Sequence, residues 1–504
     1  MEQITAVCNT QRTLRPLAYE EASCRADATL PLLAFCSEFD SVIQLPAEAK
    51  DAMRADFLAA IDVLTRQGCA LEEALGRVSL RRLGGMYAQP PAAWYPLDSA
   101  AKQYPLTMQK GQMPIFRMEA ALDQPVEPAL LQLALHFVLR RFPHYATRLR
   151  RGLFWYYLEP CPGRYAVTRD HGAVCRPIDL TDGKEQLFRL AYRSSIVILE
   201  VFHVLTDGMG AVCFLKTLLA EYYRLLGTAC AYDEQTLDPT TPATDAEVGN
   251  SFSQVEAVKG KNTIIGAPAI QIPAERLPNG ECKVDRLHFS AGALKDVARK
   301  QHVSITVLMS AMILQACRET ARAKHGQYGL QMPMNLRRLF GTRSLRNFSW
   351  YCILQAPCAE GLSMQALLQS LSLQLSGVTH KAAVQASIAS AQRLIRWLRY
   401  VPLRWKAGVM RTVSAFTGEF FFTTTLSNIG VITLPPALSA HVQSLCFVLG
   451  PSITNPYSFA MTTLGDDALL TVTRTTDSLA LEEKLLALAR AFGLDVCVER
   501  EENL

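Results

Sequence analysis

The run Ile196–Phe202 restricts the folds open to this chain more than any other segment of its sequence. Every position in it is apolar except Glu200, whereas a strand with one wet face would alternate apolar and polar residues. Both faces of such a strand must therefore be covered by other elements. From Ala211 to Leu226 apolar residues recur every three or four positions, which predicts a helix. The sequence thus predicts a buried strand that leads through a turn at His203 into a helix.

Strand-like and helical patterns are mixed over the rest of the chain. Its 504 residues exceed what one hydrophobic core usually organises, so we predict an α/β protein of more than one unit. Residues 1–92 are predicted to form a helical extension and residues 93–226 an N-terminal half. A stretch rich in Asp, Thr, Pro and Gly predicts a linker over 227–281, and a C-terminal half follows over 282–504.

The composition excludes several classes of protein. With 49% hydrophobic and 19% charged residues the chain has the balance of a globular protein, and a net charge of +5 indicates no nucleic-acid partner. No apolar run reaches the roughly 18 residues of a membrane-spanning helix. The 14 cysteines are scattered without a Cys-x-x-Cys pair, which predicts reduced thiols and no metal site. Because Met1–Thr5 shows no signal-peptide pattern, we expect a cytoplasmic protein.

His203 is the first candidate for chemistry. A residue at the end of a paired strand has a fixed backbone, and a neutral imidazole can accept a proton from an alcohol or amine near neutral pH. Asp207 could orient this imidazole or pair with an arginine, and Gly208 allows a tight turn. On these residues alone, a structural histidine competes with a general base.

Three segments together resemble the superfamily of chloramphenicol acetyltransferase, condensation domains, wax-ester synthases and alcohol acetyltransferases. His203–Gly208 matches the superfamily's His-x-x-x-Asp-Gly site, and Pro333–Arg337 resembles the segment whose arginine pairs with the motif aspartate. Leu426–Gly430 resembles the Ser-Asn-x-Gly segment of alcohol acetyltransferases. The order of the segments is also that of the superfamily, and the resemblance covers Trp94 to about Val498.

Two shorter segments, Trp94–Asp98 and Leu345–Phe348, are similar to the bacterial alcohol-acetyltransferase-like branch. The resemblance implies two chloramphenicol acetyltransferase-like subdomains with an active-site tunnel between them. It also implies transfer of an acyl group to an alcohol, sugar or lipid acceptor. The donor would be acyl-CoA or the acyl-phosphopantetheine arm of an acyl carrier protein, with no permanently bound cofactor and no acyl-enzyme.

The resemblance also assigns roles to individual residues. It implies a site made of His203, Asp207, Gly208, Ser427 and Asn428, supported by Arg337 and Asn335. His203 would be the general base, while Asp207 and Arg337 would form an ion pair that supports the geometry of the loop. Ser427 and Asn428 would donate hydrogen bonds to the tetrahedral oxyanion, although Asn followed closely by Gly is also common turn chemistry.

Three other functions compete with this one. Condensation-type amide formation usually uses a second histidine just before the motif histidine, and Phe202 occupies that place. A non-catalytic scaffold that binds a carrier protein is the second, and the intact motif residues argue against it. Metal-dependent hydrolysis through His203 and Asp207 is the third, but the sequence offers no convincing third ligand.

One cluster of positive charge stands out near residue 400. It combines basic residues with interleaved apolar ones, namely Arg393, Arg396, Arg399, Arg404, Lys406 and Arg411 with Leu394, Trp397 and Leu398. A solvated helix face, a peripheral contact with a membrane surface, and a site for the phosphates of coenzyme A or of phosphopantetheine all fit this pattern.

Overall fold

A computed structural model describes residues 19–84, 87, 94–108, 113–180, 186–256, 258, 268–323, 325–359, 361–406, 408, 420–452 and 454–500. Helices and sheets are mixed throughout, which confirms the predicted α/β class. The strands are β1 (Tyr95–Pro96), β2 (Ile115–Leu122), β3 (Thr147–Arg151), β4 (Tyr156–Pro160), β5 (Val167–Arg169), β6 (Phe188–Arg193), β7 (Ile196–Phe202), β8 (Lys283–Ser290), β9 (Gln327–Asn335), β10 (Ser349–Pro357), β11 (Thr424–Val431), β12 (Val442–Leu449), β13 (Tyr457–Leu464), β14 (Asp467–Arg474) and β15 (Val496–Arg500). The α-helices are α1 (Tyr19–Val42), α2 (Ala47–Arg66), α3 (Leu71–Arg77), α4 (Tyr104–Thr107), α5 (Pro128–Leu139), α6 (Gly208–Leu226), α7 (Asp245–Val248), α8 (Ala291–Lys300), α9 (Ile305–Ala321), α10 (Arg337–Phe340), α11 (Met364–Thr379), α12 (Lys381–Trp397), α13 (Pro436–Ser439) and α14 (Ala480–Ala491).

The predicted buried strand is β7, and it is the middle strand of a five-stranded sheet. The strand order is β12-β2-β7-β6-β5, so antiparallel ladders to β2 and β6 fix β7 on both edges. Helices α5 and α6 pack against each other and share one hydrophobic core with β7. This burial explains why the segment is apolar on both faces.

The second half of the chain forms a seven-stranded sheet of order β10-β9-β11-β13-β14-β8-β15. Helices α9, α11 and α14 contribute to its separate core. Strand β12 leaves this half and pairs with β2, so that the C-terminal part of the chain completes the sheet that carries His203. A small sheet of order β1-β4-β3 lies beside the two large ones.

Several element boundaries differ from the sequence prediction. The aromatic run over 153–158 is typical of a strand, yet β4 begins only at Tyr156, because the residues before it form the turn of the β3–β4 hairpin. The apolar residues Leu71, Leu75, Val78 and Leu83 recur at helical spacing, yet α3 ends at Arg77 and a separate 3-10 turn follows at Leu80–Leu83. Arg411 and parts of the predicted linker lie outside the described residues.

Helices α1 and α2, which lie in the part predicted as an extension, contribute to the first core, and α2 contacts α5. Asp56 on α2 accepts hydrogen bonds from Arg164 at 2.7 and 2.8 Å and lies 2.9 Å from His136 Nε2 on α5. Phe57 beside it is completely buried. None of the helices among the described residues has both the length and the apolarity needed to cross a bilayer.

Candidate active site around His203

His203 follows β7 directly and inherits its fixed backbone. Its own N–H donates to the carbonyl of Pro114 at 2.9 Å, which extends the ladder with the β2 side by one residue. The imidazole is half-buried between two aromatic rings. Tyr104 stacks on it with ring centroids 4.5 Å apart, and Phe116 meets it edge-on at 5.1 Å. These contacts leave the ring little rotational freedom.

Asn347 determines the protonation pattern of this imidazole. Its Nδ2 donates to the carbonyl oxygen of His203 at 2.9 Å and to Asp98 Oδ2 at 3.3 Å. Both of these partners are hydrogen-bond acceptors, so the nitrogen of the Asn347 amide must be the atom that faces them. The amide oxygen Oδ1 then faces His203 Nδ1, at 2.9 Å. A carbonyl oxygen can only accept, so Nδ1 carries the hydrogen. The lone pair of Nε2 is then the basic site of the neutral ring.

The surroundings also keep this ring neutral. Burial lowers the pKa of the His203 imidazole below its ordinary value, against the opposing effects of Asp207 and of the hydrogen bond to Asn347. A lowered pKa makes a histidine a weaker base but keeps it available to accept a proton at neutral and mildly acidic pH.

Asp207 points away from His203 and into a dense set of donors. Arg337 binds it in bidentate fashion at 2.8 and 2.9 Å, and the backbone N–H groups of Gly210 and Phe348 donate at 3.1 and 2.8 Å. Burial alone would raise the pKa of Asp207, but Arg337 and these N–H groups hold it below its ordinary value. The carboxylate therefore caps α6 and anchors Arg337.

Arg337 extends this anchor to the loop that carries Asn347. Its guanidinium donates to the carbonyls of Ser344 at 2.7 Å and Arg346 at 2.8 Å. Asn335 Oδ1 accepts from the Arg337 backbone N–H at 3.1 Å and from Nη1 at 3.2 Å, so Asn335 contacts Arg337 rather than His203. Arg337 thus holds the loop through two of its carbonyls and is itself held by Asp207.

Glycines allow the close approach of neighbouring segments at the start of α6. A Cβ at Gly210 would overlap Thr206 Oγ1 and lie 2.5 Å from the carbonyl of Leu345. A Cβ at Gly208 would lie 3.2 Å from Cδ1 of Ile429, which belongs to the Ser-Asn-x-Gly segment. The structure therefore brings that segment to the motif turn.

Ser427 and Asn428 lie on β11 next to this contact. A bulge separates Asn428 from Gly430, whose φ is +84°, and Asn428 Oδ1 accepts from the Gly430 N–H at 2.8 Å. Asn428 Nδ2 donates to Thr306 Oγ1 at 3.1 Å, so one of its two hydrogens is already used. Within the described residues, no hydrogen bond joins Ser427 or Asn428 to His203.

Asp98, Tyr104 and Asn347 surround the site but were not singled out from the sequence. Asp98 is fully buried, caps the turn at Ala101 at 2.7 Å, and lies 3.6 Å from the buried Arg346. Burial raises the pKa of Asp98. Asp98 and Asn347 fall in the two short segments similar to alcohol acetyltransferases, and that likeness was the available signal.

Metal-dependent hydrolysis through His203 and Asp207 would need a third ligand beside them. In the described part of the chain, no three His, Cys, Asp or Glu side chains converge as ligands. Both carboxylate oxygens of Asp207 are bound by Arg337 and backbone N–H groups. Neither oxygen of Asp207 is therefore without a hydrogen-bond donor.

Comparison with known proteins finds likeness in structure and not in sequence. The sequence matches no family model, and no curated protein is significantly similar to it. The structure of polyketide synthase associated protein 5 from Mycobacterium tuberculosis has a TM-score of 0.55 at 14% identity, over 79% of this chain and 98% of that one. F. graminearum TRI101, crystallised with coenzyme A and T-2 mycotoxin, has a TM-score of 0.55 at 11% identity, over 80% and 100%. The first condensation domain of the CDA synthetase has 0.55 at 14% identity, over 80% and 97%.

These likenesses define the fold. The chain has the two-subdomain fold of condensation domains and of TRI101, which confirms the chloramphenicol acetyltransferase-like fold predicted from the motifs. Each match spans about four fifths of this chain. The narrower likeness to bacterial alcohol acetyltransferases stays a prediction.

Proposed function

We propose that this protein transfers an acyl group from a thioester to an alcohol, with His203 as the general base. The observation that carries the proposal is the bond between His203 Nδ1 and Asn347 Oδ1, because it leaves Nε2 as a proton acceptor on a neutral ring. The bidentate Asp207–Arg337 pair also supports the proposal. It does not contact the reacting atoms but holds the loop that carries Asn347.

The reaction needs one proton acceptor and no covalent enzyme intermediate. Nε2 of His203 removes the proton of the acceptor hydroxyl while its oxygen attacks the thioester carbonyl carbon. The carbon–sulfur bond of the tetrahedral intermediate then breaks, and the thiolate takes the proton back from Nε2. Base assistance of this kind contributes on the order of 100- to 10,000-fold to the rate.

The oxyanion of the intermediate needs hydrogen-bond donors, and one well-aimed donor is worth roughly 2.7 to 4 kcal/mol. Ser427 and the remaining N–H of Asn428 are the candidates in this proposal. Ile429 beside them approaches Gly208, which places their strand next to the motif turn. Of the two, Ser427 makes no side-chain hydrogen bond to the described residues and is the freer donor.

Coenzyme A esters are the first donors to test, because TRI101 and the starter condensation domain of rhizomide synthetase were crystallised with coenzyme A or C8-CoA. A carrier-protein arm is the second donor, and sugar or lipid hydroxyls extend the range of acceptors.

Amide formation is the alternative, since condensation domains share the fold. Phe202 is completely buried and stands where those enzymes usually carry a further histidine, which favours the ester reaction. Non-catalytic binding of a carrier protein is the other alternative within the same fold.

The test is thiol release from acetyl- and longer acyl-CoA with panels of alcohols and amines, with the product identified by mass. We expect release that depends on an alcohol and yields the ester. Faster turnover with amines would establish the amide alternative. Release at the same rate with and without any acceptor, or none with every coenzyme A ester and acyl carrier protein, would refute acyl transfer.

A further inference from the structure

An exposed apolar patch lies at the end of α12 and in the turn that follows it. Trp397 is 83% exposed and Trp405 is 73% exposed, and Leu394 and Tyr400 are exposed beside them. The tip of the β3–β4 hairpin continues the patch, because Leu403 N–H donates to the carbonyl of the exposed Leu153 at 2.9 Å. Contiguous exposed aromatic and aliphatic side chains mark interaction surfaces.

The chain segment that carries most of this patch has positive charges and no acidic residue. No Asp or Glu occurs between Glu360 and Glu419, and arginines at 393, 396, 399 and 404 are exposed. None of these four has a carboxylate within ion-pair distance among the described residues. A solvated face of an ordinary helix usually mixes both signs, so this surface favours an anionic partner.

A cavity of about 430 Å³ opens beside the patch and is lined by Lys102, Trp155, Arg396, Arg399 and Tyr400, among others. Lys406 lies next to it and is buried, with its ammonium 3.4 Å from the centroid of the Trp155 ring. Lys102 lies 5.4 Å from the same ring. Burial, together with Lys102, lowers the pKa of Lys406 to about 8.

The three cations that line this cavity, and Lys406 beside them, have no carboxylate within ion-pair distance in the part of the chain that the structure describes. Among the described residues, Lys406 donates to the carbonyl of Phe154 at 2.6 Å and to no carboxylate. A buried ammonium without a carboxylate is costly unless an anion joins it. A phosphate group is the anion for which clustered Arg and Lys are suited.

We infer that this face docks on an anionic lipid surface, with a lipid phosphate in the cavity and Trp397, Trp405 and Leu394 in the interfacial layer. Aromatic and aliphatic residues beside arginines are the composition of helices that lie in a membrane interface. The packing of α12 agrees with this docking. Val384 and Ile388, in its first half, are buried in the protein, whereas its C-terminal end, with Leu394 and Trp397, is exposed to solvent.

Sedimentation with vesicles tests the inference without any need for turnover. The full chain is mixed with phosphatidylcholine vesicles, or with equimolar phosphatidylcholine and phosphatidylglycerol, at about 0.1 M and about 1 M salt. We expect binding to the anionic vesicles at low salt only. Arg396→Gln/Arg399→Gln should weaken the binding to anionic vesicles about 25-fold, because each arginine near an anionic lipid surface contributes about fivefold to the affinity. Trp397→Ala/Trp405→Ala should weaken it as well.

The matched control is Arg81→Gln/Arg299→Gln, two exposed arginines away from the patch, which should bind like wild type. The inference is wrong if anionic vesicles bind no better than neutral ones, or if the control loses as much as the patch variants. It is also wrong if Arg396→Gln/Arg399→Gln weakens binding of coenzyme A in solution but leaves vesicle binding unchanged. None of these outcomes bears on whether the protein transfers acyl groups.

Discussion

At the scale of single residues, the hydrogen bond between Asn347 and His203 decides which imidazole nitrogen is basic. The bond depends on a chain of contacts in which Asp98 and the His203 carbonyl hold the amide of Asn347 in one orientation. Asp207 has a different task, because its oxygens are occupied by Arg337 and by backbone N–H groups. The two polar systems meet in the loop 344–348.

Asn347→Ala should lower kcat and move the acid limb of the pH–rate profile to lower pH. The bond to Asn347 favours the protonated ring, so its loss lowers the pKa of His203 further. We expect kcat to fall roughly 10- to 100-fold, because the variant loses only a part of the rate enhancement that the base provides. Asn335→Ala is the control and should keep the wild-type acid limb, because the Asn335 side chain bonds Arg337 and not His203 in the described structure. An unchanged profile in Asn347→Ala would refute the orienting role.

Asp207→Ala should destabilise the fold by about 3 to 5 kcal/mol, because it leaves Arg337 without a partner in a largely buried site. Urea unfolding of Asp207→Ala, Arg337→Met and the double variant measures the effect. The double variant should lose about 1 to 3 kcal/mol less than the sum of the single variants. Strictly additive losses would show that the two residues do not act as a pair.

The sequence revealed the residues of contiguous motifs more readily than their partners. His203, Asp207 and Gly208 lie within six positions, and a short pattern identifies them. Asn347 lies 144 positions from His203, and nothing in local spacing indicates their contact. Asn428 could be found as part of a motif, but its bond to Thr306 depends on the packing of β11 against the start of α9.

At the scale of elements, the turn between β7 and α6 depends on the absence of a side chain at Gly210. Gly210→Ala should therefore cost about 1 to 3 kcal/mol, since the added methyl group would overlap Thr206 and the Leu345 carbonyl. Gly76→Ala is the control, because a Cβ there meets nothing within 4 Å and the residue lies in α3. It should stabilise by about 0.5 to 1 kcal/mol. Equal shifts of the urea midpoint in the two variants would contradict this account.

Strand and helix types followed from periodicity where the elements are long and buried. The bounds of β7 agree with the apolar run, and α6 begins three residues before its predicted start because Asp207 caps it. The pairing of β12 with β2 could not be predicted, since it joins strands more than 300 residues apart through tertiary packing. The pattern also predicts a strand for the exposed residues Leu153 and Phe154 before β4, because aromatic residues favour strands in general, and this prediction is wrong.

At the scale of the whole molecule, helix α2 is joined to the rest of the first core by polar contacts as well as by packing. Asp56→Ala should destabilise by about 1 to 3 kcal/mol, because it removes the acceptor shared by His136 and Arg164. Asp51→Ala on the same helix, 69% exposed, should change stability by less than about 0.5 kcal/mol. Urea unfolding provides the measurement, and equal losses would contradict a docking role for Asp56.

The pH dependence of this contact has a defined sign. Hydrogen bonds from His136 and Arg164 overcome the effect of burial and hold the pKa of Asp56 below its ordinary value. The contribution of Asp56 to the free energy of unfolding is therefore complete at neutral pH. It is lost as the pH falls below about 4, the ordinary pKa of an aspartate, and then through the lower pKa of the folded state. In Asp56→Ala, this part of the acid destabilisation should be absent.

Catalysis by His203 is the central claim, and one comparison tests it most directly. Alcohol-dependent thiol release is measured for wild type and for His203→Ala, with the fold of each checked by circular dichroism. We predict a kcat lower by roughly 100- to 10,000-fold in the folded variant. Equal rates in the two proteins would contradict the assignment of His203 as the base.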